Sequence, residues 1–211
     1  MRGIFVIALA LASLQVIQPT FLPASYLSGE VPVQPPQVPG GGEVLLELTV
    51  GDDGKVLKGH TLRSTPPFTE LLVDAIRLWR LHPAEDRGKE VESGVLVAGL
   101  FRPPTLMGAT TGEAPKDLTP PSNSIPMPYT MVTPDYPPGA LADGVVLVET
   151  IVERDGTVEA ARVLRSSAAF DKAATEAVLH WKFRPARRDG LPVPSFAYIV
   201  FGFRQPVTPP K

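Results

Sequence analysis

Cysteine is absent from the 211-residue chain, which removes disulfide frameworks, thiolate metal centres and cysteine nucleophiles together. Histidine is scarce: His60, His82 and His180 are the only three, and none falls on the equivalent of another in the internal alignment below. A histidine metal site or a catalytic triad therefore lacks its parts, and His82 and His180 read as solvent-facing or capping residues. Charge of one sign is missing too. A net charge of -2 supplies no basic stripe to neutralise phosphates, so nucleic acid is excluded as a partner. Ser64 and Ser166 lie in no nucleophile elbow, and Ser93-Gly94 precedes a strand rather than following one. Gly40-Gly41-Gly42 leads into a strand and not into a helix N-terminus, so it is no phosphate loop. No catalytic residue, no metal and no cofactor is expected.

What is present suits a folded chain. Hydrophobic residues make up 44% and charged residues 20%, while 25 prolines exceed the usual share and mark extended connections. At the N-terminus Arg2 precedes an apolar run from Ile4 to Leu14 that continues through Val16, Ile17, Phe21 and Leu22. This is export-signal grammar, with Ala24 before Ser25 as a cleavage site. Uncleaved, Ile4 to Leu22 just reaches the roughly 20 apolar residues of a spanning helix. Residues 1–24 are thus read as a signal peptide or an N-terminal inner-membrane anchor.

The chain repeats itself. Asp53-Gly54 and Asp155-Gly156 lie 102 residues apart, and the same offset superposes Leu62-Arg63-Ser64 on Leu164-Arg165-Ser166, Phe68 on Phe170, Trp79 on Trp181, Pro83-Ala84 on Pro185-Ala186 and Phe101-Arg102 on Phe203-Arg204. About a third of the positions between Gly42 and Pro104 match without a gap, the mark of an internal repeat. Each copy opens with an alternating run, Val44, Leu46, Leu48 and Val50 in the first and Val146, Val148, Thr150 and Val152 in the second, which predicts a half-buried strand. Glu149 and Glu153 then fall on an exposed face. Asp-Gly makes a tight hairpin, and a returning strand covers Val56 to Leu62 or Val158 to Leu164. Phe68, Leu71, Leu72, Ala75, Ile76 and Trp79, and their equivalents Phe170 to Trp181, recur at helical spacing. Pro83 and Pro185 end those helices, the tryptophans plug the ends of the cores, and last strands follow at Gly94–Phe101 and Phe196–Phe203.

The predicted fold class is therefore α+β: two β-β-α-β modules, each a three-stranded antiparallel sheet with one helix packed on it. Residues 25–104 form the first module, 105–133 a Pro-rich linker, 134–206 the second module and 207–211 a tail. Of a lead-in to the first module only Pro32, Pro35 and Pro36 are legible.

The second copy resembles the TonB C-terminal domain family. The resemblance rests on Tyr136-Pro137 with Ala140, Gly144, Asp155-Gly156-Thr157-Val158, Val163 with Ser166, Phe170-Asp171 with Ala173-Ala174, Trp181-Lys182-Phe183 with Pro185-Ala186, Gly190 with Pro192-Val193, and Phe201 with Phe203. The first copy looks like a degenerate member, with Leu81-His82 in place of Phe183-Arg184. The resemblance implies a periplasmic module in TonB-dependent transport that grips an extended segment of an outer-membrane transporter or another envelope protein. In the family the last strand presents the binding edge, which maps onto Phe196, Ala197, Tyr198, Ile199, Val200, Phe201, Gly202 and Phe203; an exposed edge accepts a partner peptide as an added strand. The family's long spacer between anchor and module is nearly missing here. From Thr20 to Gly42 the roughly 20 residues reach no more than about 70 Å, which favours a binding or accessory protein over an energised transducer. A basic cluster, Lys182, Arg184, Arg187 and Arg188, is a candidate electrostatic patch for an acidic partner or anionic lipid, against a solvated helix end as the plainer reading. The structural alternative is that the two modules pair their last strands into an internal pseudo-dimer, leaving no edge for a partner.

Overall fold

The structure is a computed structural model that describes residues 21–31, 38–104, 110–113 and 124–207. Residues 1–20, most of the expected signal or anchor, lie outside the described residues, as do Pro32, Pro35, Pro36 and much of the expected linker. The fold is mixed α+β, mostly strands with two helices.

Two short strands, β1 (Phe21–Leu22) and β2 (Ser25–Ser28), lead into the hairpin β3 (Gly42–Val50) and β4 (Val56–Arg63), helix α1 (Phe68–Ile76), short strands β5 (Arg80–His82), β6 (Ala84–Asp86) and β7 (Lys89–Val91), and the long β8 (Ser93–Phe101). After β9 (Thr110–Glu113) the order recurs: β10 (Met127–Thr133), hairpin β11 (Gly144–Val152) and β12 (Val158–Arg165), helix α2 (Asp171–Leu179), short strands β13 (Lys182–Arg184), β14 (Arg187–Arg188) and β15 (Leu191–Pro192), and β16 (Ser195–Phe203). Below, unit 1 means the elements through β8 and unit 2 those from β10 onward.

The local chemistry follows the composition. Gly54 and Gly156 turn the two hairpins with φ of +75° and +84°, a conformation that costs a side-chain-bearing residue. Their carbonyls accept the N–H groups of Leu81 (3.0 Å) and Phe183 (2.9 Å), which fastens β5 and β13 to the hairpin tips. Both helices end at residues Arg77 and His180, well before Pro83 and Pro185, because those short strands begin there. Trp79 and Trp181 are fully buried. Each indole N–H donates to a carbonyl of a preceding segment, Trp79 to Glu30 at 2.8 Å and Trp181 to Val132 at 3.0 Å. Phe68 stacks on Phe101 at 4.6 Å and Phe170 on Phe203 at 4.5 Å.

The expected pair of three-stranded sheets is corrected here: the long strands form one six-stranded sheet in the order β12-β11-β16-β8-β3-β4. At its centre β16 and β8 pair in parallel, with Ala197 opposite Leu96 and Phe201 opposite Leu100. Partners across this seam are 101 residues apart, whereas equivalent residues are 102 apart. Successive side chains alternate between faces, so that one-residue stagger sends equivalent residues to opposite sides of the sheet. Helix α1 therefore packs with Leu46, Leu48, Val97 and Val200 in one core, and α2 packs with Val146, Ile199, Leu96 and Ala98 in the other.

This arrangement overrides the prediction of half-buried strands. Leu45 joins the core on the α2 side and Leu147 the core on the α1 side, and Glu47 and Glu149 are buried. The covering comes partly from the lead-in segments. Residues 124–133, assigned to the linker by sequence, carry β10, which pairs with β13; β2 pairs with β5 in the same way. Arg102, fully buried, donates to the Pro134 carbonyl, and Arg204 donates to the Val38 carbonyl at 2.8 Å. Each unit's final strand thereby clasps the other unit's approach. Ala24 is buried and β1 pairs with β6, so a boundary after Ala24 would strip a strand from unit 1.

Candidate protein-interaction surfaces

The strand expected to offer a binding edge, Phe196 to Phe203, lies in the middle of the sheet. On one side β16 pairs with β11 from Ser195 opposite Val152 to Phe203 opposite Gly144; on the other it pairs with β8 from Ala197 to Gly202. All but Phe196 of those eight residues are buried. The strand has no free row of backbone groups in this structure, because unit 1 supplies the neighbour that a partner would have been. Among the described residues, the outermost strands of the large sheet are β4 and β12.

The basic cluster does not stay together. Lys182 and Arg184 alternate with buried Phe183 on β13 and are exposed. Arg187 and Arg188 sit on the β14 turn and line a cleft of about 650 Å³ that β13 does not reach. Arg188 is engaged there, its guanidinium 3.0 Å from the Asp86 carboxylate and 4.9 Å from the centre of the Phe21 ring.

One buried polar network joins the two units. Glu149, read from sequence as an exposed sheet-face residue, accepts from Arg162 at 2.8 Å and from the Tyr198 hydroxyl at 3.2 Å. The same hydroxyl accepts the Tyr26 N–H at 2.7 Å, and the Tyr198 ring meets Trp79 edge-on at 5.8 Å. Burial, and then the neighbouring Glu149 charge, push the Tyr198 phenol far above its ordinary pKa, so it remains a neutral donor. Burial pulls the Arg102 guanidinium down while Asp135 opposes that shift. Among the described residues no three metal-ligating side chains cluster, and no helix is long and apolar enough to cross a membrane.

The sequence carried one overlooked signal for this network. Val44-Leu45-Leu46 and Val145-Val146-Leu147-Val148 are unbroken apolar runs, the pattern of strands covered on both faces, and a glutamate inside such a run is a buried one.

Beyond geometry, residues 133–204 match the family model described as Gram-negative bacterial TonB protein C-terminal. Unit 2 is similar to the TonB C-terminal family. The match takes in β11 to β16 with both hairpin strands, α2 and the central strand, about a third of the chain, and ends at Arg204. No curated protein and no solved structure matches the chain.

Proposed function

We propose that the chain is a protein-binding module of the Gram-negative envelope, working in the periplasm and serving TonB-dependent transport by holding an outer-membrane transporter or another envelope protein. The observation that carries this reading is the match of residues 133–204 to the TonB C-terminal family, whose domains are non-catalytic and bind proteins. The apolar residues that precede β1 act as export signal or inner-membrane anchor, since Phe21 to Ala24 belong to unit 1, and unit 1 is a diverged copy of unit 2.

A second reading concerns how the module works, and one specific observation favours it. The pairing of β8 with β16 along six partnered positions supports reading the two units as an internal pseudo-dimer. Opening that seam to admit a peptide would expose both cores, since Leu96, Ala98, Ile199 and Phe201 line one side and Val95, Val97, Tyr198 and Val200 the other. We propose that the seam stays shut and that partners are held at other surfaces.

Two measurements test these readings. Site-specific photocrosslinking of the exported full chain in a Gram-negative host should recover outer-membrane transporters or other envelope proteins; recovery of none would end the protein-binding reading. Hydrogen exchange at residues 197–202 should be slow with and without the crosslinking partner. Fast exchange in the free chain that slows on binding would restore capture at Phe196–Phe203.

A further inference from the structure

The two lead-in strands are built alike but finished differently. β2 pairs with β5 as β10 pairs with β13, at equivalent positions and with the same break in register after Tyr26 and Pro128. On its outer border β10 carries a further strand: β9 pairs antiparallel with residues 130–133, and Gly112 stands opposite Met131. The equivalent border in unit 1 is residues 28–31. Among the described residues no strand lies along it, since β2 and β5 make a sheet of two. Under the same offset the counterpart of β9 is residues 8–11, Ala-Leu-Ala-Leu, which lie outside the described residues and within the apolar run assigned to export or anchoring. What finishes the border in unit 2 therefore has a counterpart committed to another task.

Each border is flanked by an arginine from the other unit's hairpin, and the two arginines record the difference. Beside the finished border Arg63 pairs with Glu43 at 2.7 Å. That carboxylate is close to β9, because a Cβ on Gly112 would stand 3.9 Å from its Oε1 and equally far from the Met131 carbonyl oxygen. Arg165 is the equivalent of Arg63, but Val145 stands where Glu43 does. Arg165 is exposed and pairs with no carboxylate among the described residues. Its guanidinium donates instead to the carbonyl of Gly29, the equivalent of Met131, with Nε at 3.1 Å. The same carbonyl accepts the Tyr26 hydroxyl at 2.8 Å. The neighbouring Glu30 carbonyl is turned in to the Trp79 indole, while that of Gly29 is turned out to the arginine. A guanidinium thus sits against the border that β9 covers in unit 2, bonded to a neutral oxygen in place of an anionic one.

We propose that residues 28–31 are a strand-addition site whose occupant is an extended segment of the partner protein with an acidic residue opposite Gly29. The segment takes the border as β9 takes that of β10, with main-chain hydrogen bonds supplying affinity. Its N–H replaces the guanidinium at the Gly29 carbonyl. Arg165, released, pairs with the incoming carboxylate, which supplies the charge that Glu43 gives Arg63 and that Val145 lacks. A guanidinium paired with a carboxylate is held more strongly than one bonded to a neutral carbonyl, so the exchange favours the acidic segment over a neutral one. The inference rests on the protein-binding reading and assigns its surface, an edge formed by unit 1 and read by a side chain of unit 2.

The experiment uses the full chain and three synthetic ten-residue peptides of alternating Val and Thr whose central residue is Asp, Asn or Lys. Amide NMR shifts are followed on titration. The Asp peptide should bind about tenfold more tightly than the other two, shift the amides of residues 28–31, and lose its advantage at high salt. Arg165→Glu, a change at an exposed position, should make the Lys peptide the tightest. The milder Arg165→Gln should bind the Asp and Asn peptides equally. Shifts centred on 56–63 or 196–203, equal binding of the Asp and Lys peptides, no binding at all, or an Arg165→Glu chain that still prefers Asp overturns the proposal. Slow hydrogen exchange at Gly29 and Val31 in the free chain would show the border filled from within the chain and would overturn it too. Envelope partners crosslinked elsewhere, with residues 28–31 silent, would sink this site and leave the protein-binding reading standing; failure of both assays would sink both.

Discussion

Replacing Tyr198 by phenylalanine removes one oxygen and leaves the ring packing in place. That oxygen donates to Glu149 at 3.2 Å and accepts the Tyr26 N–H at 2.7 Å, so one change unties the segment leading into unit 1 from the sheet of unit 2. A hydrogen bond to a charged group contributes about 1.5–3 kcal/mol, and a buried donor left without a partner costs about 1–3 kcal/mol. Glu149 keeps Arg162, and the unpaired Tyr26 N–H is only part-buried, so the net loss is about 2–4 kcal/mol. For a chain of this size each kcal/mol moves the melting temperature by about 2–4 °C, which gives a fall of about 5–15 °C. Thermal unfolding followed by tryptophan fluorescence reads the change, with one buried indole reporting from each unit. The folded phenol has a raised pKa; its contribution is therefore fully present below about pH 10, where unfolded tyrosine ionises, and fades above it. Tyr136→Phe, which loses a local bond to the Ala142 carbonyl, is the control and should cost under about 1 kcal/mol. A Tyr198→Phe protein as stable as wild type, or one no less stable than the control, would refute the network.

Gly156→Ala should destabilise more than Gly190→Ala: both have positive φ, costing about 1–2 kcal/mol, but a Cβ at Gly156 would sit 1.8 Å from the Phe183 carbonyl oxygen while one at Gly190 meets nothing. Equal melting temperatures for the two variants would show that β13 yields freely. Trp181→Phe retains most of the apolar burial yet removes the donor to Val132, so hydrogen exchange should quicken at Met127–Thr133; unchanged exchange there would mean that pairing with β13 alone holds the segment. Asp155 is held below the ordinary carboxylate pKa by the Thr157 hydroxyl and then its N–H, and Asp53 by the Lys55 ammonium and then its N–H. Their contributions are present above about pH 4 and are lost as pH falls through the lowered values. The double variant Asp53→Asn, Asp155→Asn should therefore show a shallower acid limb in stability against pH, and an identical limb would count against these turns.

Much of the architecture was legible in residues whose spacing has a single physical meaning. Asp-Gly at a fixed offset marked both hairpins, and the stripes ending at Trp79 and Trp181 marked both helices, although the helices stop earlier than Pro83 and Pro185 suggested. The sheet's unity was harder to read. Whether Phe196–Phe203 is an edge depends on a one-residue stagger between chains of side chains far apart in sequence, and no local pattern encodes that. The lead-in strands escaped for a different reason. Residues 25–28 and 127–130 are equivalent under the repeat offset but share almost no side-chain chemistry, because what the fold demands just beyond them is a backbone carbonyl for each indole, at Glu30 and Val132. The cleft was invisible for the same kind of reason, since His60, Gly94 and Arg187 converge only when the two units meet.

The parallel seam also constrains how the chain comes to exist. Unit 1 is complete when Phe101 has been made, yet the strand that will lie beside β8 ends at Phe203, about a hundred residues later. Contacts so distant in sequence form slowly, and in the interval a finished, largely apolar strand has nothing along one border. Two nascent chains meeting at that stage would find in each other the same surface each is waiting for, a route to exchanged dimers. The tempo of synthesis and export, as much as the final energy, then decides whether the chain closes on itself or on its neighbour.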